Sequence, residues 1–304
     1  MNRKYKIKDL GKLFKTTFKE WNAKDPFRQS AIIAYYAIFS IPGLLVLIIS
    51  IAGYFFGNET VHEDILRQVS STLGSETALQ IKDILEKSRQ SKSTILGSII
   101  GISILLIGAT GVFVELQKTL NLIWNVKVKP QNGIILYLKS RLFSFGLILA
   151  IAFLLIISLV ISTALAAMSD WVNVDTSQFM LSVFTVLNFV ISLIVISILF
   201  ALIFKILPDA KIEWKHVWLG SLVTGLLFTI GKTALAYYFG QAEPASTYGA
   251  AGSVILILLW VSYSSMILFF GAEFTATFAK MYSGTVAPTE IAKVEVPTKL
   301  EKTL

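Results

Sequence analysis

The stretch Phe179–Leu207 reads FMLSVFTVLNFVISLIVISILFALIFKIL, and its only charged residue is Lys205. An α-helix needs about 20 mostly apolar residues to cross the hydrocarbon core of a bilayer, and this stretch exceeds that length. It is also far longer than a buried β-strand, which is usually about 4–8 residues. The stretch therefore predicts a transmembrane helix.

Five further stretches share this length and apolar character. The predicted spans are residues 30–56, 94–114, 142–168, 179–207, 217–240 and 249–279. The chain has a mean hydropathy of +0.70 and only 15% charged residues, whereas soluble domains have about 25%. The sequence thus predicts an all-α integral membrane protein with six transmembrane helices. Pro42 lies inside the first predicted span, and a proline at that depth predicts a kink.

The distribution of positive charge predicts the orientation. With a cytoplasmic N-terminus, twenty-one of the 27 Lys and Arg residues fall on the inner side and five fall in the outer loop 57–93. This asymmetry follows the positive-inside rule and puts both termini in the cytoplasm. The net charge of +8 is then a consequence of topology, so nucleic acid is not predicted as a partner. Membrane lipids are the predicted partners, and a homo-oligomer is left open.

Three segments lie outside the predicted transmembrane spans: two flank the membrane domain of residues 30–280, and one is a loop within it. Residues 1–29 form a basic amphipathic segment whose apolar stripe is Ile7, Leu10, Phe14, Phe18 and Trp21. Such a helix lies on an anionic membrane surface or packs on the protein's own inner face, and the pattern does not choose between them. The apolar periodicity of the outer loop 57–93 predicts two short amphipathic helices. These helices either cover the mouth of a cavity or simply link two spans. The tail 281–304 is rich in Lys, Glu and Thr, which predicts disorder.

The sequence offers little material for catalysis. It contains no cysteine, which excludes disulfides and thiolate metal sites. Its two histidines, His62 and His216, are predicted on opposite sides of the membrane and cannot cooperate. No arrangement of nucleophile, base and acid is visible, so we expect no enzyme, no metal and no cofactor.

Two polar residues are predicted within the membrane. Lys232 lies near the middle of the fifth predicted span, and Asn188 lies in the outer half of the fourth. Polar residues at such depths are functional candidates by default. Lys232 lines a polar cavity in one interpretation and reaches outward to the membrane surface along its alkyl chain in the other.

Four motifs resemble those of the BrkB/YihY family of bacterial inner-membrane proteins, over about residues 15–280. They are AYYAIFSIP at Ala34–Pro42, GVFVELQKTLNLIWNV at Gly111–Val126, Leu207-Pro208-Asp209 followed by Trp214, and YGAAGSVILILLW at Tyr248–Trp260 followed by Gly271-Ala272-Glu273. The family more often has glycine at the positions of Asn125 and Ser253.

The resemblance implies a protein of the bacterial cytoplasmic membrane with about six spans. It suggests a transporter or exporter of a lipid or an anionic envelope compound. The alternative is a non-transporting scaffold or envelope-integrity protein. An older ribonuclease label on the family is regarded as an error, in line with the absence of hydrolytic machinery in this sequence. The resemblance transfers no catalytic or binding residue.

The polar residues of these motifs cluster at predicted inner helix ends. We hypothesise that they form a polar gate or lipid-headgroup site on the cytoplasmic side, composed of Glu115, Gln117, Asn121, Trp124 and Glu273. The motivating observation is that carboxamides and carboxylates share one predicted depth. Glu115 also lies three residues before Lys118, on the same helical face, where the two can pair.

Overall fold

A computed structural model describes about three fifths of the chain. The described residues are 9–40, 63, 65–67, 69–70, 78–79, 81–82, 95–129, 178–242, 252–284, 286–289 and 291–294. The predicted span 142–168, the predicted kink at Pro42 and most of the outer loop 57–93 lie outside the described residues. The residues described between 63 and 82 are helical.

Apart from the helical residues between 63 and 82, the described part contains six helices and two short strands. They are α1 (Leu10–Ala23), α2 (residues 26–40), α3 (Ile95–Ile123), β1 (Val126–Val128), α4 (Gln178–Ile206), α5 (Trp214–Ala242), α6 (Gly252–Ser283) and β2 (Ala292–Val294). At 1.5 Å per residue, the 29-residue helix α4 is ~43 Å long. This length exceeds the ~30 Å hydrocarbon core.

Three of these helices contain segments long and apolar enough to cross a membrane. The segments are Val186–Ile206, Trp214–Phe239 and Val254–Ser283. They correspond to the predicted spans 179–207, 217–240 and 249–279. The predicted helical, membrane-spanning character of the chain is therefore confirmed over these three stretches.

A break between α1 and α2 is set by three consecutive residues, Lys24-Asp25-Pro26. Proline has no backbone N–H, so it does not continue α1, but it suits the first turn of the next helix. Asp25 adopts a left-handed backbone conformation with φ of 51°, which Asp tolerates better than most residues. Its carboxylate accepts a hydrogen bond from Arg28 Nε at 3.0 Å. The chain thus turns a sharp corner that leaves Lys24 facing the bundle.

The helix α1 packs against α6 along one side only. Leu13 is buried beside Phe274 and Phe278, whereas Phe14 and Phe18 remain 40% and 58% exposed. The predicted apolar stripe is therefore only partly used by contacts within the protein.

Small residues allow close helix approach throughout the bundle. At Gly108 of α3, an added Cβ would lie 3.1 Å from the backbone of α2 at Tyr36. At Gly225 of α5, an added Cβ would lie 2.7 Å from Ser197 Oγ of α4. Such contacts bring helices together by van der Waals packing, which drives association within lipid.

The main buried core lies at one end of the bundle, where α3 and α4 end and α5 begins. Its members include Leu120, Ile123, Trp124, Phe204, Ile212, Val217, Phe269 and Ala272. We call this region the capped end, and it consists of the last turns of α3, the loop 207–213 between α4 and α5, the adjoining part of α6, and residues 286–289 and 291–294.

The predicted disorder of the tail is wrong for its described residues. β2 pairs antiparallel with β1, with Val294 opposite Val126 and Ala292 opposite Val128. Upstream, Lys211 N donates to Ala287 O at 2.8 Å. The tail has too few apolar residues to fold alone, but it gains order from unpaired backbone groups on β1 and the loop, which composition does not register.

Candidate functional site

The first polar cluster of the capped end is centred on Asp209. Asn121 Nδ2 donates to Asp209 Oδ2 at 2.8 Å, and the Asp209 backbone N–H donates to Asn121 Oδ1 at 2.8 Å. Gln117 Nε2 donates to the same Asp209 oxygen at 3.2 Å. Asp209 is 7% exposed. Its carboxylate has therefore lost hydrogen bonds to water, and the bonds from Asn121 and Gln117 replace them.

The positions of these residues follow from local structure. Gln117 and Asn121 are four residues apart on α3 and therefore share a helical face. Asp209 follows Pro208 at the point where α4 has ended. The carbonyl of Asp209 also accepts bonds from Thr289 N at 3.0 Å and Thr289 Oγ1 at 3.2 Å. Asp209 thus joins α3, the loop after α4 and the C-terminal segment.

The second polar cluster is an ion pair between Lys24 and Glu273. Lys24 Nζ lies 2.6 Å from Glu273 Oε2 and 3.3 Å from the carbonyl oxygen of Ile123. The side chain of Glu273 is 0% exposed and that of Lys24 is 15% exposed. Leaving a buried charge without its partner costs about 3–5 kcal/mol. The pair therefore ties the α1–α2 corner to α6 and to the end of α3.

The corner itself is fixed by side chains of α2 and α3. Gln29 Nε2 donates to the Lys24 carbonyl oxygen at 2.8 Å. The hydroxyl of Thr119 donates to Gln29 Oε1. Because Gln29 and Thr119 are 5% and 3% exposed, this chain of bonds is buried and positions the backbone that carries Lys24.

An open groove lies between α2 and α3, and it contains Glu115. Its volume is about 420 Å³, and it is lined by Tyr36, Ile107, Thr110, Gly111, Val114, Glu115 and Lys118. Lys118 Nζ is 3.7 Å from Glu115 Oε2, with side-chain exposures of 69% and 18%. Gly111 allows Tyr36 to lie against α3, since an added Cβ would overlap the Tyr36 ring.

The five residues of the predicted gate occupy four places. Gln117 and Asn121 meet at Asp209, Glu273 pairs with Lys24, and Glu115 lies in the groove. Trp124 is 5% exposed within the core of the capped end. Its indole N–H has no hydrogen-bond partner among the described residues.

The two predicted intramembrane polar residues lie away from these clusters. Lys232 on α5 and Asn188 on α4 are both exposed at the helix surface. Their exposure places their polar groups on outward faces of the described helices.

Two residues of the site, Asp209 and Lys24, escaped the sequence-based selection. Asp209 belongs to a family motif, but it was predicted to lie in a loop, and nothing in the sequence indicated that its side chain is buried. Lys24 was one of nine Lys and Arg residues before the first predicted span, and nothing in the sequence singles it out. A buried carboxylate such as Glu273 predicts a cationic partner, and the partner is identified only by the fold.

An exposed ion pair joins Glu213 to Lys215 at the start of α5. In the loop 207–213, a hydrogen bond from Lys215 lowers the pKa of Glu213. Among the described residues, no group of three or more His, Cys, Asp or Glu residues converges as metal ligands would.

Long apolar helices joined by buried polar clusters at one end define a multi-pass helical membrane protein. Residues 17–293 match the family model described as Virulence factor BrkB. The chain therefore belongs to the BrkB family, and the resemblance noted in its motifs is confirmed.

The chain is similar to proteins named UPF0761 membrane protein in several bacteria. It is 26% identical to that of Saccharophagus degradans, over 89% of this chain and 60% of the relative. It is 28% identical to that of Verminephrobacter eiseniae, over 71% of this chain and 49% of the relative. It is 22% identical to that of Mannheimia succiniciproducens, over 92% and 93%.

The chain thus spans about half to three fifths of the length of the first two relatives. No solved structure matches the chain significantly. The names of the relatives and the three apolar helices agree with the predicted location in the bacterial inner membrane.

Proposed function

We propose that this protein is a transporter that moves an amphipathic envelope compound, a lipid or a lipid-like anion, across the inner membrane. The observation that carries the proposal is the groove between α2 and α3. It is open on one side, and its exposed wall includes Ile107, which is 68% exposed. An opening of this kind admits a molecule whose apolar part stays in the bilayer.

The two ends of the groove differ in chemistry. Ile107 lies at one end and Lys118 at the other, and eleven residues of helix separate them by ~16 Å. The apolar end suits an acyl chain. Glu115 and Lys118 form the polar end, where a headgroup would be held. This polarity supports an amphipathic substrate over a small polar solute.

The ion pair in the groove is weak enough to be replaced by a ligand. Lys118 is 69% exposed and lies 3.7 Å from Glu115, whose side chain is 18% exposed. The long separation and the solvent around Lys118 make the pair weak. Lys118 is therefore available to bind a phosphate or carboxylate as a point charge. An anionic headgroup would gain this contact at little cost to the protein.

Flux of a fluorescent phospholipid through proteoliposomes tests the proposal. The full-length protein is reconstituted in vesicles that contain a short-chain, dye-labelled phosphatidylglycerol, and dithionite then reports how fast the inner-leaflet dye becomes accessible. Vesicles with protein are expected to expose the dye faster than protein-free vesicles.

A matched pair of substitutions locates the pathway. Val114→Trp fills the groove and is expected to reduce flux several-fold. Val186→Trp adds the same bulk on α4, where Val186 is 61% exposed, and is expected to leave flux unchanged. If folded protein gives no flux above the protein-free rate, transport is rejected and the scaffold alternative stands.

A further inference from the structure

The buried carboxylate of Glu273 is only half satisfied. Its Oε2 accepts from Lys24, whereas Oε1 is buried with no hydrogen-bond partner among the described residues. A buried carboxylate oxygen without a donor is costly while the group is ionised. Glu273 therefore has an unoccupied position at which a proton would bind.

The charged surroundings of Glu273 come from two elements. Lys24 and Glu20 approach from α1 and its C-terminal end, and Lys280 lies two turns along α6. In the described part, α3 contributes the Ile123 carbonyl, and α5 contributes no charged group that acts on Glu273. The ionised state of Glu273 thus depends chiefly on one close ammonium group.

The two partners differ in their access to water. Lys24 is 15% exposed and sits on a corner of the chain, whereas Glu273 is 0% exposed within α6. When Glu273 becomes neutral, its attraction for Lys24 falls, and the long Lys24 side chain can turn outward to solvent. The corner is then held by fewer contacts.

The corner is joined to the groove through α2. Gln29 on α2 binds the Lys24 carbonyl at 2.8 Å, and two turns further along α2, Tyr36 lines the groove. A movement of the corner is therefore transmitted along a rigid helix to Tyr36 and Gly111. This path connects a buried acid at the capped end with the groove.

We propose that Glu273 is a proton-binding site that controls the α1–α2 corner and couples the groove to protons. A proton from the aqueous phase binds Oε1, the carboxylate becomes a carboxylic acid, and Lys24 is released. Loss of that proton restores the ion pair. The coupling role rests on the proposed transport function, but proton binding and movement of the corner do not.

Spin-label distances test the site without reference to transport. The chain has no cysteine, so Lys19→Cys on α1 and Leu122→Cys on α3 create a single labelled pair at two exposed positions. In the otherwise unaltered protein, acidification is expected to add a population with a longer distance. A distribution that does not change with pH overturns the proposal.

Two substitutions identify the group that titrates. Glu273→Gln imitates the protonated acid and is expected to show the longer distance at every pH. Asp25→Asn makes the same change one residue from Lys24, in the exposed pair with Arg28, and is expected to keep the pH response. A pH response retained in Glu273→Gln overturns the proposal.

A third variant keeps the test decisive if Glu273→Gln does not fold. Glu273→Asp retains a titratable group but shortens the reach to Lys24, so the midpoint of the pH response is expected to move. An unchanged midpoint overturns the proposal.

Flux measurements separate the two proposals. An imposed proton gradient is expected to accelerate flux several-fold in the unaltered protein and to have no effect in Glu273→Gln. If the gradient does not change flux in the unaltered protein, the proposed coupling to protons is overturned and the proposed transport function is unaffected. A pH-dependent distance in a protein without flux supports the proton site and rejects transport.

Discussion

Gly220 on α5 lies directly against the side chain of Thr275 on α6, and one turn along each helix the arrangement is reversed, with Thr224 against Gly271. Each threonine hydroxyl bonds to a carbonyl of its own helix, at 2.6 Å from Thr224 to Gly220 O and 2.7 Å from Thr275 to Gly271 O. The threonine side chains therefore fill the space that the missing Cβ atoms leave. This reciprocal contact fixes the register of α5 on α6.

Gly220→Ala is expected to destabilise the protein because its new Cβ would overlap Thr275 at a helix–helix contact. Overpacking of this kind costs about 1–3 kcal/mol. The expected result is a lower midpoint of thermal unfolding in detergent, followed by tryptophan fluorescence. Gly271→Ala should behave alike, since its Cβ would meet Thr224.

Gly11→Ala is the matched control for this prediction. Gly11 lies within α1, and an added Cβ there meets nothing within 4 Å. Alanine is favoured over glycine in a helix by about 1 kcal/mol, so this variant should be as stable as the parent or slightly more so. Equal losses of stability in Gly11→Ala and Gly220→Ala would contradict the packing argument.

Removing the carboxylate of Asp209 is expected to leave Nδ2 of Asn121 buried without its acceptor, while Oδ1 keeps its bond from the Asp209 backbone N–H. Asn121 is 5% exposed, and an unsatisfied buried group costs about 1–3 kcal/mol. Asp209→Ala and Asn121→Ala should therefore each destabilise the protein, whereas the double variant should lose less than the sum. Unfolding midpoints of the four proteins give the coupling, which is about 0.5–3 kcal/mol for residues in contact.

Gln117→Ala provides the internal comparison. Gln117 donates one bond of 3.2 Å to Asp209, whereas Asn121 exchanges two bonds of 2.8 Å with it. The loss in Gln117→Ala should therefore be the smaller one. A coupling of zero between Asn121 and Asp209 would mean that the interaction between these two side chains contributes nothing to stability.

The three described helices that are able to cross a membrane could be predicted from the sequence because lipid imposes one simple rule on them. An apolar run as long as Phe179–Leu207 is unfavourable in water and too long for a β-strand. Its length and composition are therefore enough to predict a transmembrane helix. The Gly111–Val126 motif likewise drew attention to Gln117 and Asn121, which were predicted as part of one five-residue gate and which the structure brings together at Asp209. These inferences depend on local sequence, and local sequence is available without a structure.

The partners of the site residues could not be predicted because they come from distant parts of the chain. Lys24 and Glu273 are 249 residues apart, and Asn121 and Asp209 are 88 apart. The tail was misjudged for the same reason, since its order depends on backbone partners in β1 and the loop 207–213. Neither kind of contact leaves a periodic signal in the sequence.

Thr289→Pro is expected to loosen the C-terminal segment from the capped end. Proline has no N–H, so the bond of 3.0 Å from the Thr289 N–H to the Asp209 carbonyl is lost. Limited proteolysis should then cleave the segment after Ser283 faster than in the parent. The same change should raise hydrogen exchange of Lys211 N, which donates to Ala287 O nearby.

Thr289→Ala separates the backbone contribution from that of the side chain. This variant keeps the N–H and loses only the hydroxyl bond of 3.2 Å, which contributes about 0.5–1.5 kcal/mol. Cleavage should be close to that of the parent. If Thr289→Ala is cleaved as fast as Thr289→Pro, the hydroxyl and not the backbone anchors the segment.

Lys24→Met is expected to be among the most destabilising single changes in the described part of the chain. It leaves Glu273 buried without a cation, at a cost of about 3–5 kcal/mol. Arg28→Met removes the cation of a neighbouring pair, whose side chains are 67% and 56% exposed, and should cost about 0–1 kcal/mol. The two variants change the same kind of residue four positions apart, so their unfolding midpoints isolate the effect of burial.

The double variant Lys24→Met/Glu273→Leu completes this comparison. Replacing both members of a buried ion pair by apolar groups of similar size is often neutral or stabilising, so the double variant should recover most of the stability that Lys24→Met loses. Unfolding midpoints in one detergent, with retention on size-exclusion chromatography as the check on folding, decide the outcome. If the double variant is as unstable as Lys24→Met, the loss comes from packing of the lysine stem and not from the uncompensated charge of Glu273.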